Sequence, residues 1–275
     1  MLLGYNTNGL AHHDVIDAIE MLAEIGYQSV AITVDHHTLN PFDPHWQDQL
    51  EAIAGALQQA NMRSAIETGS RFLLDRDEKH EPTLMADEED RQAVRIAYLR
   101  HCIDVAARLG SDCVSLWSGR LLDDVAEDEA FDRLCEGLGR VIQTAQGRGV
   151  KIGFEPEPGM FIDTMERYQQ LIDQLGNTPL SLTLDVGHLH CQGETPLAEQ
   201  IRRWSDRLVN IHIEDMRAGA HEHLMFGDGE IDFPPILDAL RDVGYEGALH
   251  VELSRHSHIG PTAARQAMEF LKPLT

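Results

Sequence analysis

Eight short runs rich in apolar and β-branched residues recur along the chain: Leu2–Tyr5, Ser29–Val34, Arg63–Ile66, Cys113–Leu116, Lys151–Phe154, Leu180–Leu184, Leu208–Ile213 and Ala248–Leu253. Most read as continuously apolar rather than alternating, the pattern of parallel strands covered on both faces. Between them, apolar positions fall at helical spacing, as in Leu50/Ile53/Ala54/Leu57, Tyr168/Leu171/Ile172/Leu175 and Ala264/Ala267/Met268/Leu271. Gly26, Gly110, Gly149, Gly176 and Gly244 stand where such helices should end. Eight strand-then-helix units in 275 residues predict an α/β fold, a (β/α)8 TIM barrel forming one domain over residues 1–275. A doubly wound open sheet would place a Gly-rich phosphate turn after the first strand, and Gly4-Tyr5-Asn6-Thr7-Asn8-Gly9 is not one. One connection is long, from Thr68 to about Glu88, and it carries Arg71, Lys79, His80 and Glu81. It reads either as a lid over a site or as an excursion packed on a neighbouring subunit.

Charge and composition narrow the function. The formal net charge of −24 disfavours a nucleic-acid partner, which needs clustered Lys and Arg. No apolar run approaches membrane-spanning length, so no membrane partner is expected. Cys102, Cys113, Cys135 and Cys191 are widely spaced and read as reduced thiols. With a strand-like start that shows no basic region, they predict a cytoplasmic protein. The acidic surface leaves room for a homo-oligomer, and the expected partner is a small molecule.

In a barrel, residues just beyond the strand C-termini converge on one mouth. That ring holds Asn6, Asn8, Asp35, His36, His37, Glu67, Trp117, Ser118, Glu155, Glu157, Asp185, His188, His212, Glu214, Asp215, Glu252, Arg255 and His256. Each of the last four strands contributes an acid or imidazole there, and in Asp185-Val186-Gly187-His188 the glycine is expected to turn the chain. Two Glu, one Asp and one His suit a divalent ion with positions left for substrate oxygens: Mn2+ first, with Mg2+, Co2+ or Zn2+ as alternatives. Without a cation, four such buried groups would be costly.

The stretches Phe154-Glu155-Pro156-Glu157-Pro158-Gly159, Leu184-Asp185-Val186-Gly187-His188, Asn210-Ile211-His212-Ile213-Glu214-Asp215 and His250-Val251-Glu252-Leu253 resemble the xylose isomerase-like TIM-barrel superfamily. That superfamily includes ketose 3-epimerases, hydroxypyruvate isomerase, inosose dehydratase, 3-dehydroshikimate dehydratase and endonuclease IV. The resemblance implies one divalent ion on Glu155, Asp185, His212 and Glu252, with Glu155 and Glu252 also catalytic. In the epimerase branch the matching His188, and an arginine at or near Arg217, hold substrate oxygens. The arginine stands one residue short of the epimerase spacing from His212. Glu157, His223 and Trp117 complete the expected substrate contacts, although Trp117 at a strand end also suits plain core. The stretch from His221 to Phe233 looks like the loop after strand seven of endonuclease IV. There His188, His221 and His223 make a candidate second metal site, or else His223 orients the loop or touches substrate. The nuclease's remaining histidines are missing, with Trp117-Ser118 and Glu67 in their places.

A metal holding two adjacent oxygens of a hydroxy-ketone acidifies the C–H between them, because enediolate charge develops beside the ion. The leading expectation is therefore a divalent-metal-dependent isomerase or epimerase of a small carbohydrate or keto-polyol. The alternative is a lyase or dehydratase on a keto-cyclitol, dehydroshikimate-like or keto-glycoside substrate. A phosphodiesterase like endonuclease IV and a non-catalytic sugar-binding barrel stand behind both.

Overall fold

The computed structural model describes residues 1–122 and 125–275. In chain order its elements are β1 (Leu2–Asn6), α1 (Val15–Ile25), β2 (Ser29–Thr33), α2 (Trp46–Ala60), β3 (Arg63–Glu67), α3 (Glu89–Leu109) and β4 (Val114–Leu116). There follow α4 (Glu127–Arg148), β5 (Ile152–Phe154), α5 (Met165–Leu175), β6 (Ser181–Asp185), α6 (Val186–Cys191) and α7 (Leu197–Trp204). The last are β7 (Leu208–Ile213), β8 (Asp215–Arg217), β9 (Ala220–Leu224), α8 (Phe233–Asp242), β10 (Ala248–Val251) and α9 (Gly260–Leu271). The parallel strands close as a barrel in the order β1-β10-β7-β6-β5-β4-β3-β2, and β8 and β9 form a separate antiparallel hairpin. Closure is made by β1 against β10, with Leu2 opposite Ala248 and Tyr5 opposite Val251. The fold is thus the (β/α)8 TIM barrel.

Five helices stop where glycine lets the backbone take a positive φ, at Gly26, Gly110, Gly149, Gly176 and Gly244, and α2 stops at Asn61 with a φ of 50°. Among the described residues, no helix is long and apolar enough to cross a membrane.

The strands are less uniformly apolar than their sequence suggests. Val30 and Ile32 of β2, Ile211 and Ile213 of β7, and Leu249 and Val251 of β10 join the core beneath the helices. Between them stand Ser29, Ala31, Thr33, Asn210, His212 and His250, also buried but outside that core. This is the two-residue alternation of a strand with two different faces. The inner apolar cluster is small: Ala31, Ala65 and Cys113, with Val209 against it. The space that bulky aliphatic residues fill in many barrels is shared here with polar groups.

Gly4 shows the constraint this imposes. A Cβ at that position would overlap the buried His250 ring. Gly4→Ala should therefore cost about 1–3 kcal/mol, as overpacking usually does. In contrast, Gly55→Ala, in α2 with nothing within 4 Å, should stabilise by roughly 0.5–1 kcal/mol. Chemical denaturation of the two variants tests this, and equal midpoints would show that the His250 packing is soft.

Candidate active site

Four side chains from four consecutive barrel strands meet at the C-terminal mouth. Glu155 follows β5, Asp185 ends β6, His212 lies in β7 and Glu252 follows β10. His212 Nδ1 sits 3.0 Å from Glu155 Oε1, 2.8 Å from Glu252 Oε2 and 4.0 Å from Asp185 Oδ2. One potential ligand atom from each of the four lies within 4.8 Å of all the others. Each of three residues ties another polar atom to the protein. Asp185 Oδ1 accepts the His188 backbone N–H at 2.8 Å, which starts α6. Glu252 Oε1 accepts Asn8 Nδ2 at 2.7 Å, and His212 Nε2 lies 3.0 Å from Glu67 Oε1. Asp185 Oδ2 is buried with no hydrogen-bond partner. A buried orphan oxygen among two further carboxylates and an imidazole fits a hard-to-borderline divalent cation.

The electrostatics express the same strain. Burial raises the Glu155 carboxyl well above its ordinary range, and His212 only partly offsets it. Burial opposes the charge on Glu252 too, but there His212 prevails and the carboxyl is lowered. Asp185 is likewise lowered, because His188 and His212 outweigh burial. Burial disfavours a charged His212, yet Glu155, Glu67 and Glu252 hold its pKa well above the usual histidine value. Glu157 is pushed up to about 8 by burial and by the charges of Glu252 and Asp185.

A cavity of about 420 Å³ opens above these groups, within the range of small-molecule sites. Trp117, Glu157, His221 and His223 line it, as do Arg71, Lys79 and His80 of the long connection after β3. That connection therefore lies over the site. The buried Arg95 of α3 anchors it by donating to the carbonyls of His80 and Pro82. Trp117 meets the His80 ring edge-on at 5.2 Å. His188, His221 and His223 cluster at one side, with His188 Nε2 3.0 Å from His221 Nε2. His188 Nδ1 lies 3.3 Å from the Pro156 carbonyl, which can only accept, so that nitrogen carries the proton and Nε2 keeps its lone pair.

Other expected residues are placed elsewhere. Arg217 is exposed and donates to the Asp228 carbonyl at 2.8 Å, outside the cavity lining. One residue of spacing reverses the face of an extended chain, and this arginine falls on the far side. His36 and His37 are exposed and likewise absent from the lining. Asp215 turns into the hairpin, where its carboxylate accepts the backbone N–H groups of Met216, Gly227, Gly229 and Ile231. It is an anchor for the loop. Gly187 does not turn the chain; it lies within α6, where a Cβ would overlap the buried Glu214 carboxylate. Sequence reasoning also missed the roles of Asn8, Asn210 and His250. For the last two, their two-residue spacing from His212 and Glu252 was the available signal.

A family model described as xylose isomerase-like TIM barrel matches residues 19–274. The inosose dehydratase of Lacticaseibacillus casei is 31% identical over 167 residues, covering 54% of this chain and 56% of that protein. The chain thus spans about half the length of the curated relatives it matches. A D-tagatose 3-epimerase-like protein superposes with a TM-score of 0.79 at 19% identity, over 99% of both chains. The IolI protein, solved with a zinc atom, superposes with a TM-score of 0.79 at 19% identity, over 100% of this chain and 98% of its own. At such identities these two likenesses speak for the fold alone.

The raised Glu157 carboxyl predicts a pH dependence. The fold keeps its proton up to about 8, whereas the unfolded chain releases it near 4.5. Its contribution to stability is therefore complete below about 4.5 and is lost as pH rises through about 8. Chelator-treated protein should melt at progressively lower temperature across that window, and Glu157→Gln should flatten the decline. Parallel melting curves for the two proteins would show that Glu157 does not hold a proton in the fold.

Proposed function

This chain belongs to the xylose isomerase-like TIM-barrel family, and on that premise we propose a divalent-metal-dependent isomerase or epimerase of a small carbohydrate or keto-polyol, acting as a single domain. The reading is carried by the convergence of Glu155, Asp185, His212 and Glu252 around the orphaned Asp185 Oδ2, beneath a cavity of about 420 Å³. These four residues would hold the ion. When bound, a divalent ion polarises substrate oxygens and so acidifies the neighbouring C–H. Mn2+ is the ion expected first, with Zn2+ beside it because the IolI structure holds zinc.

The chain's own contribution is proton transfer and orientation. Glu155 and Glu252 come from barrel strands separated by β6 and β7, so they need not reach the substrate from one side. In the metal-free protein their surroundings push them apart: burial favours the protonated form of Glu155, and His212 favours the ionised form of Glu252. Glu252, steadied by Asn8, takes the proton from carbon, and Glu155 returns one. Return to the opposite face of the same carbon gives an epimer, and return to the neighbouring carbon gives an isomer. Glu157, His223 and Trp117 border the space where hydroxyls must be held, whereas His188 lies outside that lining, 3.0 Å from His221, which does border it. Arg217 has no part in this reading, since it faces away.

A second reading, a dehydratase on a keto-cyclitol or related ketone, uses the same first proton abstraction, after which a β-hydroxyl leaves. The inosose dehydratases among the relatives favour it. Separately, His188, His221 and His223 could take a second ion. Three imidazoles crowd together there, and His223 Nδ1 is buried without a partner.

Three measurements test these assignments. Asp185→Ala and His212→Ala should each lose the ion on metal analysis; full retention in both removes the site. Glu155→Gln and Glu252→Gln, re-saturated with metal, should lose ~10²–10⁴-fold in turnover, the usual scale of general acid–base catalysis. Undiminished turnover would leave both as ligands only. The panel is keto-sugars and keto-cyclitols in D2O followed by proton NMR, where deuterium entering carbon marks enolisation and loss of water separates the dehydratase from the isomerase. In the same preparations, two ions in wild type and one in His221→Ala assign the imidazole cluster to metal. One ion in both assigns it to substrate.

A further inference from the structure

Beneath the four converging side chains, a continuous polar column runs through the barrel interior. Ser29 Oγ, at the start of β2, lies 2.9 Å from His250 Nε2 of β10. His250 Nδ1 lies 2.7 Å from Asn210 Oδ1 of β7. Asn210 Nδ2 lies 3.1 Å from Glu67 Oε1 at the end of β3, and the same oxygen is 3.0 Å from His212 Nε2. All five side chains are buried, Glu67 at 7% exposure being the most open.

The protons along this column follow from one end. A carboxylate oxygen only accepts, so Asn210 Nδ2 and His212 Nε2 both donate to Glu67. That turns the Asn210 carbonyl toward His250, whose Nδ1 must donate to it. His250 Nε2 is then an acceptor and takes the Ser29 hydroxyl proton. Asn210 Nδ2 and His212 Nε2 also stand 3.1 Å apart, so their hydrogens turn to the shared Glu67 oxygen rather than to each other. Such a column is expensive to bury, and the chain makes room for it: Gly4 lacks the Cβ that would strike His250, and the inner apolar neighbours are Ala31, Ala65 and Cys113.

We propose that Glu67, with Asn210, His250 and Ser29 behind it, is a positioning column that keeps the proton of His212 on Nε2 and its Nδ1 directed at the cavity. The orientation of the ring follows from hydrogen bonds alone; its value as a metal ligand rests on the four-ligand reading above. A carboxylate behind a ligating imidazole also makes the ring a stronger donor, and losing such a partner typically lowers metal affinity 10–100-fold.

The test uses two independent readouts on the full chain. In 15N-labelled, chelator-treated protein, the His212 Nε2–H should give a slowly exchanging, downfield ring-proton signal, assigned by its loss in His212→Gln. It should persist in Glu67→Gln, whose amide oxygen still accepts, and vanish in Glu67→Leu. Zn2+ affinity, measured by chelator competition, should fall about 10-fold in Glu67→Gln and about 100-fold in Glu67→Leu. Rescue by glutamine distinguishes positioning from simple packing, since leucine fills a similar volume. Should Glu67→Leu fail to fold, His250→Gln and Asn210→Leu interrupt the column behind Glu67 and should weaken the same signal. An unchanged signal in the folded Glu67→Leu, or in both remote variants, overturns the proposal. A Glu67-dependent signal in a wild type that binds no zinc upholds the column and defeats the four-ligand reading instead.

Discussion

The mouth of this barrel is organised around the difficulty of placing three carboxylates and an imidazole in one buried space. Coulomb repulsion among Glu155, Asp185 and Glu252 grows as water is excluded, and desolvation penalises each charge separately. With protein atoms alone, His212 answers both problems: its Nδ1 faces Glu155 and Glu252, and its raised pKa shows how strongly the cluster demands positive charge. A divalent cation would meet the same demand and give the unpartnered Asp185 Oδ2 a partner. Hydrogen bonds donated by Asn8 and the His188 backbone, and the one Glu67 accepts from His212, keep these groups facing one another.

This demand reaches down the barrel. Because side chains alternate along each strand, the strands that present His212 and Glu252 to the mouth also place Asn210 and His250 one layer below. These polar residues satisfy one another and connect to Glu67 and Ser29. The stabilising apolar mass lies outside, where the helices cover the other face of the strands. A single barrel wall thus separates an aliphatic shell from a hydrogen-bonded interior.

The long connection after β3 and the hairpin after β7 complete the cavity in different ways. Arg95 holds the first by its backbone carbonyls, leaving Arg71, Lys79 and His80 to border the opening. Asp215 gathers the second by four backbone N–H groups, and β9 carries His221 and His223 to the opposite side. The ring of acids is common chemistry for proton abstraction beside a carbonyl. These two segments border the cavity, and are therefore where the proposed epimerase and dehydratase readings would diverge.

The sequence alone determined the barrel, because eight apolar runs separated by helical spacing and glycine stops are local properties of the chain. Strand ends in this architecture share one mouth, which marked a ring of candidates, and the family resemblance singled out Glu155, Asp185, His212 and Glu252 within it. Tertiary structure decided what local pattern cannot express: which way each side chain points and which distant residue it meets. Arg217 lies close in sequence to His212 but faces out, whereas Glu67 and Asn8 lie 145 and 244 residues from their partners and face in. Gly187 looked like a turn and proved to be space for Glu214, while Asp215 looked like a mouth residue and proved to tie a loop. The physical reason is that a strand end specifies position along the barrel axis. Direction depends on a one-residue register and on closure of β1 against β10, which brings the two ends of the chain to the same site.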